Sequence, residues 1–134
     1  MKDNSQNIWI SDDRDGLFLY HSQTGITEHL KKERVRCTYQ DALGRIWVGA
    51  QQINLWQPGT KSFKQFLNNE FSDALITEPR LCDSKGRIWI KYLVKEMGIL
   101  DPLTGKFSNF DVSDGLCGGS ITAHQLIDGR VMIV

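Results

Sequence analysis

Asp41-Ala42-Leu43-Gly44-Arg45-Ile46-Trp47-Val48 and Asp83-Ser84-Lys85-Gly86-Arg87-Ile88-Trp89-Ile90 are one phrase written twice. In each, an aspartate stands three residues before a glycine, the pattern of a tight reversal in which the Asp side chain caps backbone amides and the glycine takes a positive φ. An Arg-Ile-Trp run of strand-forming residues follows. The phrase recurs in eroded form as Asn7-Ile8-Trp9-Ile10 and as Gly129-Arg130-Val131-Met132-Ile133. Its markers Trp9, Trp47, Trp89 and Met132 lie 38, 42 and 43 residues apart. That is the length of a four-stranded propeller blade, so the chain is a repeat protein.

The residues between the markers are punctuated alike. After each Trp strand comes a second β-like segment, Leu17-Phe18-Leu19-Tyr20, Ile53-Asn54-Leu55-Trp56 and Gly98-Ile99-Leu100. Each is closed by a turn, His21 to Gly25, Gln57 to Lys61 and Asp101 to Gly105, where Pro and Gly end one strand and start the next. Outer strands then carry Phe63 and Phe66 or Phe107 and Phe110, and inner strands Val35 to Gln40 and Ile76 to Cys82 open the following unit. No window sustains helical periodicity. The expected fold is all-β, a partial β-propeller of about three four-stranded antiparallel blades. Its units run roughly over 1–34, 35–75 and 76–119, with an incomplete one over 120–134. On this reading the chain enters at the second strand of one unit and leaves after the second strand of another.

Composition narrows the function. The 134 residues carry 16 Lys plus Arg against 16 Asp plus Glu, a formal net charge of zero, so the basic excess that drives nucleic-acid binding is missing. The polar start and the longest aliphatic run, Val131 to Val134, supply neither a signal peptide core nor a membrane span. Cys37, Cys82 and Cys117 match no disulfide framework or zinc spacing and read as packed or free thiols. His21, His29 and His124 are scattered, so no metal site is expected. Ser11 to Gly16 resembles a calcium loop but has Ser at the first ligand position and Ser22 at the twelfth, which leaves a solvated turn. Phosphate-binding and nucleophile-elbow motifs are absent, and Gly115, Gly118 and Gly119 read as a flexible connection. No catalytic residue and no cofactor is expected.

The D-x-x-G-[RN]-[IV]-W-[IV] phrase, the stretch Gly16-Leu17-Phe18-Leu19-Tyr20-His21-Ser22-Gln23-Thr24-Gly25, the stretch Asp101 to Phe107 and Asp114-Gly115-Leu116 together resemble the two-component regulator propeller repeat over nearly the whole chain. The resemblance implies a segment of the extracytoplasmic sensor half of hybrid two-component histidine kinases of the Bacteroidetes type, periplasmic in the parent family. Kinase, receiver and membrane segments would belong to that longer parent. The sequence departs from the repeat at Gln51-Gln52, at Lys91-Tyr92 and at Met132.

Aromatic faces suit sugar stacking, yet a Trp recurring at one place in every unit is expected to pack between blades. Trp9, Trp47 and Trp89, with Gly44, Gly86 and Gly129, are therefore structural, and Trp56 and Tyr20 fall under the same argument. Variable loops on a rigid scaffold are where binding resides. The second-to-third strand connections and the inter-blade loops share one face, which nominates Asp13, Arg14, Gln51, Gln52, Asn68, Asn69, Lys91 and Tyr92 as ligand-facing, an oligosaccharide being the expected ligand. The reading is a non-catalytic ligand-sensing segment. The alternatives are a propeller-type polysaccharide lyase or hydrolase fragment, or a truncated remnant acting as an interaction scaffold. Glycoside hydrolysis needs two convergent carboxylates, and Asp12, Asp13 and Asp15 share one loop. Open blade faces call for partners, either missing propeller blades or a second copy joined head to tail.

Overall fold

A computed structural model of the chain describes residues 1–67, 77–92, 97–116 and 122–134. Asn68, Asn69, Ile76 and Cys117 lie outside the described residues. Four antiparallel sheets follow one another along the chain. The first holds β1 (Ile8–Asp12), β2 (Gly16–His21) and β3 (Ile26–Lys31). The second is the meander β4 (Cys37–Gln40), β5 (Ile46–Gly49), β6 (Ile53–Gln57) and β7 (Ser62–Phe66). The third repeats it as β8 (Thr77–Cys82), β9 (Ile88–Tyr92), β10 (Met97–Asp101) and β11 (Lys106–Phe110). A hairpin of β12 (Ala123–Gln125) and β13 (Val131–Ile133) forms the last. The only helical turn among the described residues is a 3-10 turn over Val112–Asp114. Sheets made only of sequential neighbours, stacked face to face, are the blades of a partial β-propeller.

Strand alternation gives each blade two unlike faces, and the seams between blades are the core. Trp9, Leu17 and Leu19 of unit one pack on Val35, Ile46 and Val48 of unit two. Trp47, Ile53 and Phe66 of unit two pack on Cys82, Ile88, Ile90, Tyr92 and Leu100 of unit three. Trp89, Met97 and Ile99 continue the series against Ala123 and Val131 of the hairpin. An indole face therefore meets the aliphatic face of the next unit each time, as expected for a residue that every blade needs. Each fully buried large side chain contributes about 1.5–3 kcal/mol.

The repeated aspartate does more than cap a turn. One Asp41 carboxylate oxygen accepts the backbone N–H groups of Leu43 and Arg45, both at 2.9 Å. The other accepts Arg45 Nε at 2.6 Å and the buried indole Nε1 of Trp47 at 2.8 Å. Asp83 reproduces all four bonds with Lys85, Arg87 and Trp89. Asp3 keeps two of them, to the backbone N–H of Asn7 and to Trp9 Nε1. A buried indole N–H requires an acceptor, and this clamp supplies it while fixing the turn. In the last hairpin Leu126 occupies the aspartate's place and Met132 the tryptophan's, so donor and acceptor disappear together. The backbone reversal survives, with Leu126 N–H donating to Arg130 O at 2.8 Å.

Burial pushes the Asp83 carboxyl up, but the Trp89 indole, the Arg87 guanidinium and the Arg87 amide outweigh it and hold its pKa below the ordinary 3.8. A depressed folded-state pKa gives stability that is complete above the unfolded value and is lost as pH falls through the folded one. The chain is expected to keep its neutral-pH stability down to roughly pH 4 and to lose it below, with Asp83→Asn flattening that acid limb. Denaturant melts at a series of pH values, read by circular dichroism, measure this.

Three boundaries differ from the sequence reading. The inner strand of unit two begins at Cys37, because Val35 is taken up by the seam, its N–H donating to Asp12 O at 3.3 Å. Unit one retains part of an inner strand rather than opening at its second, since Lys2 bridges Ile8 and Trp9 N–H donates to Met1 O at 2.7 Å. Lys91 and Tyr92 belong to β9 and not to the connection after it.

Candidate functional site

Two rims of the blade stack are open to ligands. The aspartate-glycine turns and the second-type turns, His21 to Gly25 and Gln57 to Lys61, share one rim, and there units one and two part to leave a cleft of about 430 Å³. Its apolar wall is the half-buried Trp56, set edge-on to Trp9 at 5.7 Å between ring centres and backed by Phe63 at 4.9 Å. The buried Leu19 and Ile46 also line it. Glu28 from β3, His21 from β2 and Lys61 from the turn of unit two share the lining with Ser5, Asn7 and Gln40, and the charged Asp3 and Arg45 also reach it.

The polar side is tied across the seam. Glu28 Oε1 accepts from Lys61 Nζ at 3.2 Å and lies 3.1 Å from His21 Nε2. The Lys61 ammonium, helped by His21, holds the Glu28 carboxyl below the usual carboxylate range. Asn4 N–H donates to Gln40 Oε1 at 2.9 Å, a second tie between the units. Two residues at this cleft stand where other units have glycine. Lys61 takes φ 49 where Gly25 and Gly105 both take φ 72, and Gln6 takes φ 67 where Gly44 takes φ 79. Among the described residues these are the only side chains bearing a positive φ, which costs about 1–2 kcal/mol each. Strain of that kind is retained where surroundings over-determine it, and functional sites are where it clusters.

On the opposite rim the structure brings Asp13 together with arginines rather than leaving it as a free tip. Its carboxylate lies 3.3 Å from Arg36 and 3.9 Å from Arg34, and Arg36 continues to Glu78 at 3.4 Å, with Glu78 also bound by Arg80. This chain of charges stitches units one, two and three. Arg14 and Gln51 are exposed, and the half-buried Gln52 uses its carbonyl to accept Asn54 Nδ2 at 2.8 Å. Lys91 is a half-buried strand residue. Tyr92 is corrected outright: it is 1% exposed and part of the seam core, because β9 carries it to the interior face beside Gly98, and it cannot face a ligand. Asp12 folds its carboxylate onto the backbone N–H groups of Asp15 and Arg14, both at 2.7 Å, which lowers its pKa and makes the loop a self-capped turn. Burial raises the Cys37 thiol to about 11, so it packs as a thiol rather than a thiolate. No cluster of metal-ligating residues occurs among the described residues.

The loop argument nominated the other rim and passed over Asn7, His21, Glu28, Gln40, Trp56 and Lys61. A signal was present. Aligning the units shows Gln6-Asn7 against Gly44-Arg45, and Lys61 against Gly25 and Gly105, and both of these departures fall in turns that border the cleft.

Comparison with known proteins agrees with this architecture. Residues 29–52, from β3 to the end of the β4–β5 hairpin, match the family described as two component regulator propeller. No curated protein matches the chain. Among solved structures, the extracellular domain of the hybrid two component system BT3049 from B. thetaiotaomicron superposes with a TM-score of 0.70 at 20% identity, over 95% of this chain and 17% of that one. A catalytically inactive virginiamycin B lyase from Staphylococcus aureus, solved with quinupristin, superposes with a TM-score of 0.68 at 10% identity, over 100% of this chain and 53% of that one. The chain thus spans only part of either structure, and at such identities the likeness is one of fold. Within a partial β-propeller, residues 29–52 are similar to a two component regulator propeller repeat.

Proposed function

We propose that this chain is a non-catalytic ligand-binding segment of a sensor propeller in a two-component signalling protein, held in the periplasm by its parent, and that its ligand is an oligosaccharide. The observation that carries the reading is the cleft between units one and two, whose lining combines Trp56 with the polar side chains of Glu28, His21, Lys61, Asn7 and Gln40. A pyranose has the matching surface, with apolar C–H faces for the indole and equatorial hydroxyls for the rim. A ligand bridging both units would also alter their packing, which is the kind of change a sensor passes on.

Support for binding rather than bond cleavage comes from how the carboxylates are used. Asp3 is spent on Trp9 Nε1 and the Asn7 amide, and Glu28, kept ionised by Lys61, is a poor general acid. Glycoside cleavage needs one carboxyl group protonated and a second one free. Titration of the chain with neutral oligosaccharides, followed by tryptophan fluorescence and amide chemical shifts, tests the reading. Saturable shifts confined to the cleft are expected, with Trp56→Ala weakening binding at least about 10-fold. Shifts confined to Asp13, Arg14 and Gln51 would move the site to the opposite rim, and release of reducing ends would replace binding by catalysis.

A further inference from the structure

We propose that Glu28 and Lys61 act as a specificity pair in the cleft, selecting a sugar unit with free hydroxyls on two adjacent ring carbons. The inference rests on the oligosaccharide reading and narrows it to a class of ligand. It starts from what the repeat does not need. The strand registers set Glu28 opposite Leu19, Lys64 opposite Leu55 and Ser108 opposite Ile99, so these three hold one repeat position. Lys61 shares another with Gly25 and Gly105. A Glu–Lys tie therefore forms across the seam of units one and two, whereas at the next seam the same two places hold Lys64 and Gly105. There Lys64 lies over the ring of Phe66 in its own unit, 4.9 Å from the centroid. A blade seam closes without the pair.

Nor does the tie offset its own strain. The Lys61 side chain is 68% exposed and that of Glu28 33%. An ion pair open to water to that extent contributes less than a side chain at positive φ costs, and glycine avoids that cost in the other two units. Stability alone gives no reason for an ammonium at this turn. A strained residue bordering a cleft is instead placed for what the cleft receives.

The bonds of the pair leave room for a ligand. Lys61 Nζ at 3.2 Å and His21 Nε2 at 3.1 Å meet the same oxygen, Glu28 Oε1. Glu28 Oε2 takes no hydrogen bond from a described residue. An ammonium has three donors, and Lys61 directs one of them at a described residue. The cleft lining thus includes an acceptor-only oxygen beside a donor-only nitrogen. Two hydroxyls on neighbouring ring carbons match both at once, one donating to Oε2 and the other accepting from Nζ. Hydrogen bonds assisted by charge in this way are the strong ones. Trp56, in the same lining, offers an apolar surface for the C–H face of the ring. A sugar whose hydroxyl pair is closed by a glycosidic link leaves a charged group unmatched, and a site made to bond a hydroxyl discriminates against analogues that lack it.

Titration of the intact chain with neutral tetrasaccharides, followed by amide chemical shifts, tests this. Cello-, xylo- and mannotetraose have 1,4 links that leave an adjacent hydroxyl pair on every unit, whereas the 1,3 links of laminaritetraose remove it from the inner units. At least one 1,4-linked member is expected to give saturable shifts at the cleft and to bind at least about 10-fold tighter than laminaritetraose. For that saccharide Glu28→Gln and Lys61→Gly should each weaken binding at least about 10-fold. Lys61→Gly should do so while keeping the urea midpoint of the parent, because the strain it relieves and the ion pair it removes act in opposite directions. Binding that is lost in Trp56→Ala but indifferent to Glu28→Gln and Lys61→Gly would overturn the pair and leave the oligosaccharide site standing. Laminaritetraose binding as tightly as every 1,4-linked member would do the same. Absence of binding by all four would overturn the oligosaccharide reading and this proposal with it.

Discussion

An Asp41→Ala chain is expected to unfold at a much lower urea concentration than the parent chain. Asp41 is 4% exposed, and its carboxylate collects two amides, a guanidinium and an indole N–H. Removing it strands Trp47 Nε1 in the seam between units two and three and leaves Arg45 without its counter-charge. Breaking a buried pair by deleting one partner costs about 3–5 kcal/mol. A domain of this size has about 5–15 kcal/mol in total. Urea denaturation followed by tryptophan fluorescence measures the loss. Asp41→Asn should fall between the two, since it keeps an acceptor and gives up the charge. Asp3→Ala should cost less than Asp41→Ala, because Asp3 serves two of the four donors and no guanidinium. In the double variant Asp41→Ala with Trp47→Phe, part of the cost should vanish, the two sites coupling by about 0.5–3 kcal/mol. Full additivity would mean that the clamp does not act as a unit.

Gly49→Ala should separate units two and three. A Cβ at Gly49 would lie 2.1 Å from the Thr77 carbonyl oxygen, 2.9 Å from Pro79 Cδ and 3.0 Å from Cys37 Sγ. The carbonyl is backbone and cannot swing aside. It belongs to the residue whose N–H and hydroxyl tie the units together, donating to Ala50 O at 2.8 and 3.1 Å. Accommodating the methyl means opening that contact, at about 3 kcal/mol or more, the upper end of overpacking costs. Amide hydrogen exchange should show faster exchange across β5 and β8 in particular, with unit one spared. Gly59→Ala, where an added Cβ meets nothing within 4 Å, is the matched control and should be near neutral.

The repeat, its period, the strand order and the reversal at each aspartate and glycine were all legible in the residue pattern. All of these rest on interactions within one unit, between residues a few positions apart. Trp47 and Trp89 as seam residues were legible for a related reason: what recurs in every unit must serve a contact that every unit makes. The second duty of Asp41, as acceptor for the indole six residues on, was not legible, because the turn alone explains the aspartate. The cleft was beyond reach for a stronger reason. Trp56 and Lys61 come from unit two and His21 and Glu28 from unit one, and nothing local in either unit fixes how far apart their turns open. That spacing follows from the packing of Trp9 on Trp56 and of Leu19 near Ile46. Tyr92 was misplaced on the same ground, since the direction of a strand that continued two residues further buried it, and the pairing of the exposed Asp13 with Arg36 of the next unit was equally out of reach. Local pattern sets the blade, whereas the angle at which one blade meets the next, and with it the site, is decided by side chains that meet only in the folded chain.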